Sequence, residues 1–310
     1  MSNANKFPSL SYFHYIWRDC GIMLMMKMRT LLIRSVIAAA ILTVWLPVRA
    51  GDLEGSRVSP LYFGPNALPV PDILDGRVSE KLYLELDYDW SAGHYGDMTH
   101  TFSAKVRVPL FTPRVNLSVW MPVVEGYRYT PEALEHFRPL VRRERGTQVG
   151  NVYVSTDIQV FRERRIMPGI TVRAAVITAS GDGDEYSRYF DAPGYFFDAS
   201  VGKSLELGHP FFHYVRVAAG AGFLCWQVTS VTQNDAWMYG LSAALSTSLA
   251  DARLAWQGYN GWMGDGDRPM VIQASLTFKA GGFRPVIAYE YGLRDWPYSH
   301  LRIGLAYEFQ

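Results

Sequence analysis

Three residues far apart in the chain could form a hydrolytic set. Asp89 and Ser91 stand two apart, and His300 lies near the other end. A carboxylate, a hydroxyl and an imidazole are the acid, nucleophile and base of acyl-transfer chemistry, provided the fold brings them together. A second chemistry is offered by "GDGDE" at 181–185 and "GDGD" at 264–267, where Asp182, Asp184, Asp265 and Asp267 could give oxygens to Ca²⁺. Such a site needs roughly six to eight ligands, and neither stretch follows the EF-hand loop, so turn formation is the simpler account of both. A third pattern is charge at every second position, with Glu85, Asp87 and Asp89 in one stretch and Lys105 and Arg107 in the next. Such rows either pair with one another or line a water-filled path.

The spacing that makes these rows also defines the elements that carry them. In "EKLYLELDYDW" the residues Leu82, Leu84, Leu86, Tyr88 and Trp90 fall on one face, and Tyr83, Glu85, Asp87 and Asp89 on the other. Period two is the mark of a strand. The same alternation returns in 99–111, 114–124, 149–162, 169–180, 194–207, 214–228, 236–249, 252–262, 270–280, 283–292 and 300–310. So much strand exceeds the share usual in soluble domains, and a closed barrel is the natural way to hold it. The sequence therefore predicts an all-β fold, a transmembrane antiparallel β-barrel of about 12 strands, with 10 to 14 compatible with the pattern. A soluble sandwich also alternates, but seldom sets three acids in a row behind a wholly apolar face. Connections alternate too: "AGHYGDM", "GDGDEYSRYFDAP" and "RDWPYS" are long and polar, whereas "TP", "AD" and "AG" are short.

Composition narrows the class. A net charge of +1 on 310 residues argues against a dedicated nucleic-acid binder, and 14% aromatic content suits a protein with many rings at a membrane interface. The stretch 28–50, "MRTLLIRSVIAAAILTVWLPVRA", has Arg29 and Arg34 ahead of an apolar run and then a small-residue cleavage site, which is the pattern of a signal peptide. Residues 1–27 precede it and read as an extension before a truer start at Met26 or Met28. Cleavage would remove Cys20 and leave Cys225 alone, so no intrachain disulfide is expected. Residues 51–79 carry Pro60, Pro65, Pro69 and Pro71, which forbid helix and sheet interior; this segment is expected in the periplasm or against the lumen of the barrel at 80–310.

The tail "LAYEFQ" resembles the C-terminal recognition signal of bacterial outer-membrane β-barrels, alternating apolar residues up to an aromatic, with Gln310 as a departure from the usual aromatic end. The resemblance covers 80–310 by pattern. It implies the outer membrane as location, its lipid and lipopolysaccharide as surroundings, and the barrel-assembly machinery as a partner for the last strand. Trp90, Tyr195, Trp237 and Tyr291 then belong to the upper aromatic girdle, and Tyr307 and Phe309 to the lower.

By parity the lumen would be lined by Glu85, Asp87, Asp89, Lys105, Arg107, Asp157, Arg173, Asp198, Arg216, Arg253, Glu290 and Arg302. The acidic row of the first strand lies between Lys105 and Arg107 on one side and Arg302 on the other, so cross-strand ion pairs are expected. The functional expectation is a narrow channel or conduit for a small polar or zwitterionic solute. Two alternatives stand beside it. One is a lipid hydrolase with Asp89, Ser91 and His300 at the extracellular rim, a level comparable to that of Ser and His in outer-membrane phospholipases and lipid A deacylases, none of whose local patterns occurs here. The other is a structural or surface-binding barrel with a filled lumen. No cofactor is implied. In the longest loop, "TPEALEHF" predicts a short helix capped by Thr130, and Arg138, Arg142, Arg143 and Arg145 after it could grip lipopolysaccharide phosphates.

Overall fold

The computed structural model describes residues 64–137, 143–182, 188–189, 193–226, 235–260 and 268–309. The extension, the signal sequence, the first part of the proline-rich segment and Gln310 lie outside them, as do Asp184, Asp265, Asp267, Arg138 and Arg142.

The first hairpin is β1 (Tyr83–Gly93) and β2 (Met98–Pro109), followed by β3 (Val115–Arg128), the helix α1 (Pro131–Phe137) and the short β4 (Arg145–Gln148). Then come β5 (Tyr153–Phe161), β6 (Gly169–Ile177), β7 (Gly194–Glu206), β8 (Phe212–Cys225) and β9 (Ala236–Thr247). The chain ends with β10 (Ala250–Asn260), β11 (Met270–Phe278), β12 (Phe283–Arg294) and β13 (Tyr298–Glu308). All pairings are antiparallel, and β13 pairs with β1 from Tyr83↔Glu308 to Gly93↔Tyr298, which closes the sheet into a barrel of twelve strands. The thirteenth, β4, stays out of the wall. It pairs with the upper end of β3 from Glu125↔Gln148 to Arg128↔Arg145, while β5 takes the lower end of the same strand. The sequence places Arg145 in a charged loop; the structure puts it in β4, because four residues are too few for alternation to show.

The wall strands are 9 to 14 residues long. At about 3.4 Å per residue and a tilt near 40°, they cover an apolar band about 25 Å tall. Phase decides which side each residue faces. Leu86, Phe102, Val217, Trp237, Leu241, Ile303 and Leu305 are more than half exposed on the outside, whereas Asp89, Thr101, Asn116, Ser118, Thr171, Arg216 and Gln257 are buried within. That is a soluble protein turned inside out, which only a lipid surround makes favourable. Pro122 interrupts β3 where the β2–β3 register slips between Phe102 and Ser103, the kind of bulge at which a strand tolerates a residue without an N–H. Helix α1 begins as its sequence predicts, with the Ala133 N–H donating to Thr130 Oγ1 at 3.1 Å.

Candidate functional site, the lumen

The interior is shared by the wall and by residues 64–79. With prolines at 65, 69 and 71 this segment lacks several N–H donors, so it cannot join a ladder, yet it still carries a carbonyl at every residue. The wall supplies the missing donors. Tyr259 Oη donates to Leu68 O (3.3 Å), Arg173 to Asp72 O (2.5 Å), Arg253 to Ile73 O (3.3 Å), Arg216 twice to Asp75 O (2.9 and 2.6 Å) and Gln159 to Gly76 O (2.9 Å). Guanidinium groups suit this task because they are donors only and hold a fixed fork. The contacts run down β5–β10, from the long-loop rim at Leu68 to the short-turn rim at Gly76.

Close approach is possible because small residues face inward there. A Cβ on Gly240 would meet the Ile73 side chain at 2.8 Å. Gly76 has φ +80°, and a Cβ on it would fall 2.6 Å from Gly202 N and 2.7 Å from Gly169 O, both wall backbone. Only glycine satisfies that conformation and that space. Below it, Arg77 donates to Glu163 Oε2 (3.0 Å) and Ser204 Oγ (2.7 Å), and Glu163 also takes Arg216 Nη1 at 2.5 Å. Burial alone would raise the Glu163 pKa, but the Ser204 N–H, Arg216 and Arg77 outweigh it and bring it down to about 2.

At the long-loop rim the segment is held from above. Arg188 is 1% exposed, bonded to Glu125, Tyr129 and Thr99, with its guanidinium 4.4 Å from the Tyr127 ring centre. Asn66 donates to Glu125 Oε2 at 2.6 Å, and Gly64 N–H to Tyr298 Oη at 2.6 Å. A buried ion pair is tolerable when its remaining atoms are bonded in this way. Ala67 and Leu68 then pack on inward apolar residues, Ile177, Phe196, Leu224 and Met238 among them.

On the opposite side of the segment a cavity of about 210 Å³ remains, between Pro65–Leu74 and the inner face of β1, β2, β3, β5 and β13, with Arg173 of β6 and Glu290 of β12 at its edges. Its wall carries Glu85, Asp87, Asp89, Lys105, Arg107, Asp157, Arg173, Glu290, His300 and Arg302. Asp198 lies beside Arg173 (2.6 Å), while Arg216 and Arg253 serve the segment. The expected ion pairs form on one flank only. Arg302 Nε meets Asp89 Oδ1 at 2.7 Å across the β1–β13 pair, but Lys105 and Arg107 lie within 4 Å of no acid among the described residues. Instead Arg107 stacks over Tyr83, its register neighbour, at 5.1 Å, and Lys105 over Trp120 at 5.8 Å.

Of the hydrolytic set, the structure joins Asp89 to His300. His300 Nε2 is bonded to Asp89 Oδ1 (2.8 Å) and its Nδ1 faces Glu290 (3.9 Å), so both ring nitrogens are turned to carboxylates. Ser91 Oγ, opposite His300 in register, meets no partner among the described residues. Asp182, after β6, is tied to the β4–β5 connection, accepting from Val149 N–H at 2.8 Å. The inward glycines, the Arg188–Glu125 pair and the path of the segment escape the sequence reading; four glycines at inward parity on consecutive strands, Gly169, Gly202, Gly220 and Gly240, are the signal that could have shown a groove.

No protein-family model matches the chain, and no curated protein matches it. Among solved structures it is similar to an outer-membrane channel of Pseudomonas putida F1, with TM-score 0.54 and 10% identity over 78% of this chain and 100% of that one. The NanC porin aligns with TM-score 0.48 and 9% identity over 73% and 100%. The transport unit of the autotransporter AIDA-I from Escherichia coli gives 0.46 and 9% over 85% and 99%. The fold is that of the bacterial outer-membrane β-barrels.

Proposed function

We propose that this barrel is a narrow conduit across the outer membrane for small polar solutes, and that it shares its lumen with its own residues 64–79. In the outer-membrane orientation the long loops face outward and the short turns face the periplasm. The observation that carries the reading is the division of the lumen. The side along β6–β10 is filled by the docked segment, while the side along β1–β5 and the adjoining β12–β13 keeps a charged cavity. A volume of about 210 Å³ is below that of pockets for drug-sized ligands, so the solute is small. Likeness to a channel at 10% identity speaks for the fold and lends only analogy to the activity.

The test is planar-bilayer recording of the folded whole chain. Discrete conductance steps smaller than those of wide porins, and larger when the contacts of residues 64–79 are broken, are expected. A silent bilayer from protein with a demonstrated folded barrel would overturn the conduit.

A further inference from the structure

The cavity names a class of solute; this inference rests on the conduit reading and deepens it. Two cations and two acids face the open side without being spent on each other. Lys105 and Arg107 sit two residues apart on β2, and Glu85 and Asp87 two apart on β1, with Glu85 opposite Lys105 and Tyr83 opposite Arg107 in register. None of the four is in an ion pair within 4 Å with a described residue. The other charges around the cavity are already engaged: Asp89 with Arg302 and His300, Arg173 with Asp198, Asp157 with Ser155 Oγ at 3.1 Å, and Asp72 with Gln257 at 2.8 Å.

The wall keeps the four apart rather than joined. Arg107 is drawn sideways onto the Tyr83 ring and Lys105 onto Trp120, which itself stacks on Tyr153 with ring centres 5.1 Å apart. Asp87 leans the other way, over Gly304 of β13, where a side chain would collide with its carboxylate. One of its oxygens is buried with no hydrogen-bond partner among the described residues. That oxygen, Oδ1, is the one against Gly304, so Asp87 and Glu85 line the cavity without an ionic partner, and two unpaired acids facing two unpaired cations favour a guest that carries both charges. The register also fixes a polarity along the barrel axis. The cations lie level with Tyr83 and Glu85, towards the short-turn rim, whereas the acids continue upward through Asp87.

We propose that the cavity is a transit site for a small zwitterion, of the amino-acid or betaine class. Its carboxylate is received by Lys105 and Arg107, and its ammonium end by Glu85 and Asp87. The stacked Trp120–Tyr153 wall flanks the carbon skeleton, and the prolines of residues 65–71 close the other side. A neutral polyol of equal size finds the same space but leaves all four charges unmatched. A simple anion or cation satisfies one pair and is opposed by the other.

The test is osmotic swelling of liposomes containing the whole folded chain, in isosmotic glycine or alanine, in glycerol or erythritol, and in lactate or ethanolammonium salts. The zwitterions are expected to enter at roughly three times the neutral rate or more, with both ions slower. The ratio of zwitterion to neutral rate should fall towards one in Lys105→Met and in Glu85→Gln, each checked for barrel folding by heat-modifiable gel mobility. Equal rates for zwitterion and polyol, or a preference that survives both substitutions, would overturn the assignment and leave the conduit standing. Liposomes that admit none of the solutes, with folded protein in them, would overturn the conduit and this inference with it.

Discussion

Replacing Gly76 by alanine should undock the segment in the lumen without disturbing the wall. At φ +80° an L residue is strained by about 1–2 kcal/mol. The new Cβ would also stand 2.6 Å from Gly202 N and 2.7 Å from Gly169 O, and these are backbone atoms of paired strands that cannot retreat. The segment must lift instead. Lifting forfeits the Gln159 bond to Gly76 O and at least one of the two Arg216 bonds to Asp75 O. A neutral bond is worth about 1 kcal/mol and a charged one about 1.5–3, so the total is on the order of 4–6 kcal/mol. At about 1.4 kcal/mol per tenfold, the undocked population rises by roughly three to four powers of ten. Arg77, the next residue, is tied to Glu163 and Ser204 when docked and becomes a trypsin site when released. The assay is trypsin cleavage after Arg77, read by mass spectrometry on folded barrels, with Gly126→Ala as the control because a Cβ there meets nothing within 4 Å. Equal cleavage of Gly76→Ala, the control and the parent chain would refute the docking argument.

Two further substitutions follow from groups outside the membrane band. Glu163, held at about 2 against an ordinary 4.5, stabilises the foot of the segment above pH 4.5, and that contribution disappears as pH falls through 2. Glu163→Gln should therefore speed cleavage at Arg77 at pH 7. Asp97, in the β1–β2 loop, is 1% exposed, and neither of its oxygens reaches a donor on another described residue; burial pushes its pKa up to about 6 despite its own backbone N–H and Arg188. Because the folded value is the higher one, ionisation costs stability as pH rises from 3.8 through 6, on the order of 3 kcal/mol when complete. Asp97→Asn should raise the gel-shift melting temperature at pH 8 and leave it nearly unchanged at pH 4.

Period-two patterning made the wall legible, since Leu84, Leu86 and Trp90 against Glu85, Asp87 and Asp89 can satisfy lipid and lumen in one phase only. It could not tell with whom the inward charges pair. Arg107 chose the Tyr83 ring, and Arg173, Arg216 and Arg253 reached the carbonyls of a segment that has no periodicity to betray it. The prolines at 65, 69 and 71 indicated an extended chain needing donors, but the identity of those donors lies in the tertiary arrangement. Asp89 and His300 could be brought together from strand closure alone; that both imidazole nitrogens would face carboxylates depended on Glu290, one strand further on.

Solute is expected to pass on the β1–β5 side of residues 64–79 and not on the β6–β10 side. This expectation is tested most directly by single-channel recording of Ser103→Cys and Ser200→Cys barrels during exposure to a small charged methanethiosulfonate. Ser103 lines the cavity, whereas Ser200 is 2% exposed beneath the docked segment. A stepwise fall in conductance is expected for Ser103→Cys and none for Ser200→Cys; modification of Ser200→Cys with Ser103→Cys unaffected would place the path on the other side.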